Sequence, residues 1–199
     1  MMAASRHPDP ASRHVRRLRS VSGLRYDRRG VAALEFALLA PMLTMALFGL
    51  LAISQAVRAK MLLTSAASSM ASMVATQHAV TGGSSGTLRD LCNGAQHIIR
   101  PYAASSLSMA ITSYTRQPDL VVQRNWEYRS ACQADAASLA DTGVSLATPL
   151  LPDAGDSIII VQASYNYLSS YPDVVSNMTL SQTAYARPRY VKVECTSSC

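Results

Sequence analysis

The sequence predicts an α+β protein: a long apolar N-terminal helix that spans a membrane, continues as an amphipathic helix, and leads into a small domain with an antiparallel sheet. Three observations predict it. Residues 36–53 read FALLAPMLTMALFGLLAI, eighteen residues without a charge and with Thr44 as the one clearly polar side chain. Helical patterning then runs on through VRAKMLLTSAASSMASMV (57–74) and stops at Thr81-Gly82-Gly83-Ser84-Ser85-Gly86. Beyond that break, runs of β-branched and aromatic residues alternate with turn residues.

Charge divides the chain in the same place. Residues 1–30 hold eight arginines (Arg6, Arg13, Arg16, Arg17, Arg19, Arg25, Arg28, Arg29) against Asp9 and Asp27, which accounts for the whole net charge of +6. With no apolar period and many Ser, Pro and His residues, this segment reads as a disordered cytoplasmic leader. The twenty-two residues between Glu35 and Arg58, at about 1.5 Å of rise each, cover the roughly 30 Å hydrocarbon core of a bilayer. The positive-inside rule then places the N-terminus in the cytoplasm and the rest of the chain, after about Arg58, across the membrane. The adjoining apolar helix explains the arginines without a nucleic-acid-binding arm, and no basic patch with interleaved aromatics follows. A secretory signal peptide ending at Ser54-Gln55-Ala56 fits less well, because the run is long and the helix continues past Ala56.

The segments follow in order: leader 1–30, transmembrane helix 31–57, amphipathic continuation 58–80 and an α+β domain over 87–199. In the continuation, Val57, Met61, Met70, Met73 and Val74 form the expected apolar stripe. Pro41 should kink the helix within the membrane, where such a defect is tolerated. A second helix is expected over 87–103, and strands at 106–115, 119–129, 157–168 and 179–193. Pro188 marks the last as an edge strand or bulge, and residues 130–155 read mostly as loop. Consecutive strands with short connections predict a meander.

The four cysteines all follow the membrane segment. If they face a bacterial periplasm, disulfides are permitted. Cys195 and Cys199 can close a small ring, and Cys92 would then pair with Cys132; other pairings stay open on spacing. The paired CxxC knuckles of a zinc site are absent. No catalytic, cofactor or metal constellation stands out. His7, His14, His78 and His97 lack ligand-spaced partners, there is no GxSxG elbow, and the glycine-rich stretch at 82–86 lacks a following Lys-Ser/Thr. Tyr165, Tyr167, Tyr171, Tyr185 and Tyr190 read as sheet packing.

One charge needs a reason. Glu35 sits just inside the apolar run, where an ionisable group is rare and costly. Arg28-Arg29-Gly30 followed by VAALEFALLAP resembles a class III, type IV prepilin-like signal, in which a basic leader and a small residue precede an apolar helix with Glu as its fifth residue. More narrowly, it is similar to the TadE/TadG-like family of pseudopilins of tight-adherence pilus assembly. Gly155-Asp156-Ser157, Tyr165-Asn166-Tyr167 and Ala184-Tyr185-Ala186-Arg187-Pro188-Arg189 resemble that family's closing strands, so the likeness spans residues 28–193.

The resemblance implies a non-enzymatic inner-membrane protein with a single span, a cytoplasmic N-terminus and a periplasmic C-terminal domain. It implies cleavage between Gly30 and Val31 by a prepilin peptidase, and pairing of the new Val31 amine with Glu35, within one chain or between neighbours. It implies as partners the membrane, other pilins and pseudopilins of the same system, and the pilus assembly machinery. Major pilins of that system end soon after the helix, which points away from the bulk fibre subunit. The helix dipole was expected to favour Glu35 in the first turn. The other reading of Glu35 is an interfacial residue that snorkels to headgroups. It belongs to an uncleaved single-pass protein with a periplasmic binding or sensory domain.

Overall fold

The computed structural model describes residues 30–129, 132, 140–172 and 174–199. The arginine leader with His7 and His14 lies outside the described residues, as does most of 130–139. The chain divides into two compact units, Met1–Met45 and Ala46–Cys199. Helix α1 (Val31–Thr76) is a single element of 46 residues, and Pro41 does not end it. The hydroxyl of Thr44 donates to the Pro41 carbonyl at 2.9 Å.

In the first unit the described side chains of α1 are almost all exposed, among them Leu34, Phe36, Leu38, Met42 and Met45. In the second unit the helix changes character. Ala52, Ala59, Leu63, Ala66, Ala67, Met70, Ala71, Val74 and Ala75 are buried, at helical spacings that put them on one face. This corrects the expected stripe. Met70 and Val74 lie on the packed face, but Val57, Met61 and Met73 are 48%, 64% and 46% exposed. The packed face is rich in alanines because short side chains let the helix lie close against its neighbours, while Met61 and Met73 flank it. Replacing Ala67 with leucine should therefore overpack this face and cost about 1–3 kcal/mol, whereas Met61→Ala should be nearly neutral. Thermal unfolding of the two variants in the same detergent checks the contrast.

Helix α2 (Thr87–Ile98) ends five residues earlier than expected, because Pro101 has no N–H with which to continue the ladder. Four strands follow: β2 (Leu107–Arg116), β3 (Val122–Tyr128), β4 (Ser157–Tyr167) and β5 (Met178–Ala186). They form one antiparallel sheet in the order β3-β2-β4-β5. The topology is thus not the predicted meander, since β4 pairs with β2 rather than β3. The β3–β4 connection is long and carries α3 (Ala140–Ala147), which allows the chain to return on the other side of β2.

The central strands are covered on both faces. Leu107, Met109, Ile111, Ile159, Val161, Ala163, Tyr165 and Tyr167 share a core with α1 and α2. Ala110, Tyr114, Ile158 and Ile160 share a second with Ala147 and Leu151. This is why Ser157-Ile158-Ile159-Ile160-Val161 reads as a continuous apolar run rather than an alternation. Strand β5 is an edge, as expected, but it stops at Ala186, before Pro188.

The chain beyond Pro188 forms no extension of that sheet. It leads to β6 (Glu194–Ser197), which pairs in parallel with β1 (Ala79–Thr81), directly after the long helix. This small sheet was not anticipated: α1 ends at Thr76 and β1 intervenes before the glycine-rich stretch, so Gly82 serves in packing rather than in breaking the helix. A Cβ there would lie 2.1 Å from the Ser198 carbonyl oxygen. The buried Trp126 indole donates to the Val193 carbonyl at 2.8 Å, fixing the approach to β6. Cys92–Cys132 and Cys195–Cys199 are disulfides.

Candidate functional site: the start of the apolar helix

Gly30, Val31 and Glu35 lie at the beginning of α1. The helix starts at Val31, so Glu35 is its fifth residue. The first turn holds no acidic side chain, which corrects the expected dipole stabilisation, because that effect fades beyond the first turn. The same start places Val31 and Glu35 four residues apart, neighbours on one helix face. Glu35 is exposed, and the ion pairs seen among the described residues, Arg124–Glu127 and Lys192–Glu194, lie elsewhere.

Among the described residues, nothing requires a glycine at position 30. A Cβ added there would meet nothing within 4 Å, and its backbone is not among the left-handed glycines, Gly83 and Gly155. Glycine weakens a helix start or an ordered segment through its conformational entropy. A residue that packing does not require, at the junction of a basic leader and an apolar helix, fits a contact made by another protein.

In the second unit, side chains tie α1 to the folded domain just beyond the apolar run. The Tyr102 hydroxyl donates to the Gln55 carbonyl at 2.8 Å, and the Lys60 ammonium donates to the Ser181 carbonyl. Tyr102 packs edge-on against Tyr165 and Tyr167, with ring centres 6.4 and 6.1 Å away. Burial pushes the Tyr102 and Tyr165 phenols above their usual range. At the far end of α1 the Arg189 N–H caps the Ala75 carbonyl at 3.0 Å. None of these ties was foreseen. Arg58 and Lys60, the first cations after the run, were the sequence signal for where the domain takes hold.

The tyrosines divide as packing and surface. Tyr165 and Tyr167 are core residues, whereas Tyr185 and Tyr190 are 44% and 52% exposed. Tyr190 meets His78 edge-on at 5.0 Å. Among the described residues, no three His, Cys, Asp or Glu side chains gather closely enough to hold a metal ion. The glycine-rich segment before α2 closes on itself, because the Thr87 N–H donates to the Thr81 hydroxyl at 3.0 Å and the Thr81 N–H to the Thr87 hydroxyl at 2.9 Å.

This geometry defines a class: an α+β domain carried on a long helix whose apolar N-terminal part is unpacked and long enough to cross a membrane. Residues 30–72 match the family model described as TadE-like protein, consistent with a TadE/TadG-like protein. The matched segment begins at Gly30 and includes Glu35, while the three distal motifs of the domain lie outside it. No curated protein and no solved structure matches the chain. The long apolar helix and the TadE-like match within it together point to membrane anchoring.

Proposed function

We propose that this chain is a minor pilin or pseudopilin of a tight-adherence pilus, made as a precursor and cut after Gly30. The observation that carries the reading is Gly30 itself, exposed and unrequired by packing, directly before a helix whose fifth residue is Glu35. A membrane-embedded prepilin peptidase needs a small residue before the scissile bond. Cleavage there discards the leader with its net +6 and leaves an amine on Val31. That amine and the Glu35 carboxylate, one turn apart or on adjacent subunits, offset part of each other's cost in a medium of low dielectric.

The rest of the molecule serves this role without catalysis. The apolar stretch of α1 anchors the chain in the inner membrane, with the N-terminus cytoplasmic and the α+β domain in the periplasm, where its two disulfides are stable. The same stretch packs with helices of other pilins and pseudopilins, and the domain meets the assembly machinery. A filament requires such heterologous, non-closing contacts.

Intact mass and N-terminal sequencing of the membrane protein, from strains with and without the prepilin peptidase, test the proposal. The expected result is a mature chain beginning at Val31 only where the peptidase is present. A leader retained in both strains overturns processing and favours an uncleaved single-pass protein with a periplasmic binding domain. Gly30→Leu should block the cut and leave membrane insertion intact.

A further inference from the structure

Of the ten residues 168–177 that join β4 to β5, the described ones present Leu168, Tyr171 and Val174 as apolar side chains beside the helix. Leu168 is 70% exposed and Val174 53% exposed, with Met178 partly exposed beside them. The Tyr171 ring lies 5.8 Å from the ring of Phe48, and a Cβ on Gly49 would stand 3.9 Å from Val174 Cγ1. Phe48 and Gly49 are not at the mouth of the apolar run but inside it, five and four residues before its end at Ile53. Counted at 1.5 Å per residue from the helix start at Val31, a hydrocarbon core of roughly 30 Å is filled near Leu51, so Phe48 and Gly49 sit about 3–5 Å inside its outer edge.

We infer that this loop inserts into the headgroup–acyl boundary of the bilayer, as a second, shallow membrane contact of the folded domain. A loop seated on Phe48 and Gly49 cannot remain in bulk water if those residues are within the lipid. Its composition suits that depth. Leu168, Tyr171, Pro172, Val174, Val175 and Met178 dominate 168–178, and Asp173 is the one charge in the sequence there. A single carboxylate is compatible with the interface and unfavourable at the bilayer centre, and tyrosine is enriched at this level.

The backbone is also prepared for a poorly hydrated setting, where unpaired polar groups are costly. The Ser169 N–H donates to Asn177 Oδ1 at 2.9 Å, and the Tyr171 N–H to Ser169 Oγ at 3.1 Å. The N–H groups of Val174 and Val175 both donate to the Tyr171 carbonyl at 3.0 Å.

The inference rests on α1 being the membrane anchor, and the test separates the two. The four native cysteines are paired in disulfides, so one added thiol is labelled alone with an environment-sensitive fluorophore. The full chain is reconstituted in phosphatidylethanolamine–phosphatidylglycerol vesicles, labelled in turn at Leu168→Cys, Ser170→Cys, Leu39→Cys and Gln123→Cys. Ser170→Cys leaves every apolar loop side chain in place, and Gln123 lies towards the opposite end of the sheet. Nitroxides at shallow or deep acyl positions and aqueous iodide are the quenchers. The expected result is deep-nitroxide quenching at Leu39, shallow-nitroxide quenching with several-fold weaker iodide quenching at Leu168 and Ser170, and iodide quenching alone at Gln123. Loop labels that behave like Gln123 while Leu39 is quenched by lipid overturn the loop's insertion and leave the anchor standing. Iodide access at Leu39 overturns the anchor and the loop inference with it.

Discussion

Replacing Cys92 and Cys132 together by alanine will strongly destabilise the folded domain. The disulfide spans 40 residues of sequence, and loss of that cross-link restores unfolded-state entropy worth about 4 kcal/mol on the chain-entropy model. For a domain of about 150 residues this lowers the melting temperature by roughly 10 °C. Both sulfurs sit in the core, Cys92 fully buried and Cys132 nearly so, and the bond pins α2 to the chain just after β3. Without it, the long β3–β4 connection is anchored at its start by the β-sheet alone. Cys195–Cys199 closes a ring of only a few residues, and Cys199 is exposed. Its replacement by serines should therefore fray β6 and cost much less. Differential thermal melts of the two double variants in one detergent decide the order. Equal shifts, or an unchanged melt for the Cys92/Cys132 pair, would refute this account.

The parts of the fold that depend on neighbouring residues were legible in the sequence. The apolar run and the β4 run of Ile158-Ile159-Ile160-Val161 each carry their signal within a few residues, and α1 and β4 fall close to where expected, although α1 ends at Thr76, before the glycine-rich stretch. What depends on distant partners was not. The order β3-β2-β4-β5 is set by which strand finds β2 first across a connection of nearly thirty residues, and no local pattern encodes it. The parallel pairing of β1 with β6 joins residues more than a hundred positions apart. The packed face of α1 escaped because hydrophobicity scales rank Met61 and Met73 above Ala66 and Ala67, while close helix packing ranks them in reverse. At the candidate site the opposite holds. Gly30, Val31 and Glu35 are adjacent, so their spacing was readable at once. The structure added that Gly30 has no packing duty and that Glu35 opens the second turn rather than closing the first. The contact of Tyr171 and Val174 with Phe48 and Gly49 is again long-range, and an apolar hairpin loop was its one sequence trace.

Under the proposed role, with the Val31 amine exposed by cleavage, replacing Glu35 by glutamine should leave the chain inserted in the membrane and impair its entry into the pilus apparatus. The amide matches the carboxylate in shape and can still hydrogen-bond, and it enters an apolar phase more easily, so anchoring should not suffer. What it cannot do is neutralise the Val31 amine. Leaving one member of a buried ion pair unmatched costs about 3–5 kcal/mol, which corresponds to a loss of roughly 10²–10³-fold or more in the equilibrium for docking beside a neighbour. Immunoblots of membrane and sheared surface fractions read both halves of the prediction: full membrane level, and loss from the sheared fraction or of piliation itself. The snorkelling alternative predicts otherwise, because an exposed interfacial carboxylate contributes little and its amide should pass unnoticed. A Glu35→Asp variant sharpens the contrast. It restores the charge on a side chain one methylene shorter, so partial recovery would assign the effect to charge pairing. Normal assembly in the Gln variant would show that the amine of Val31 needs no partner at position 35.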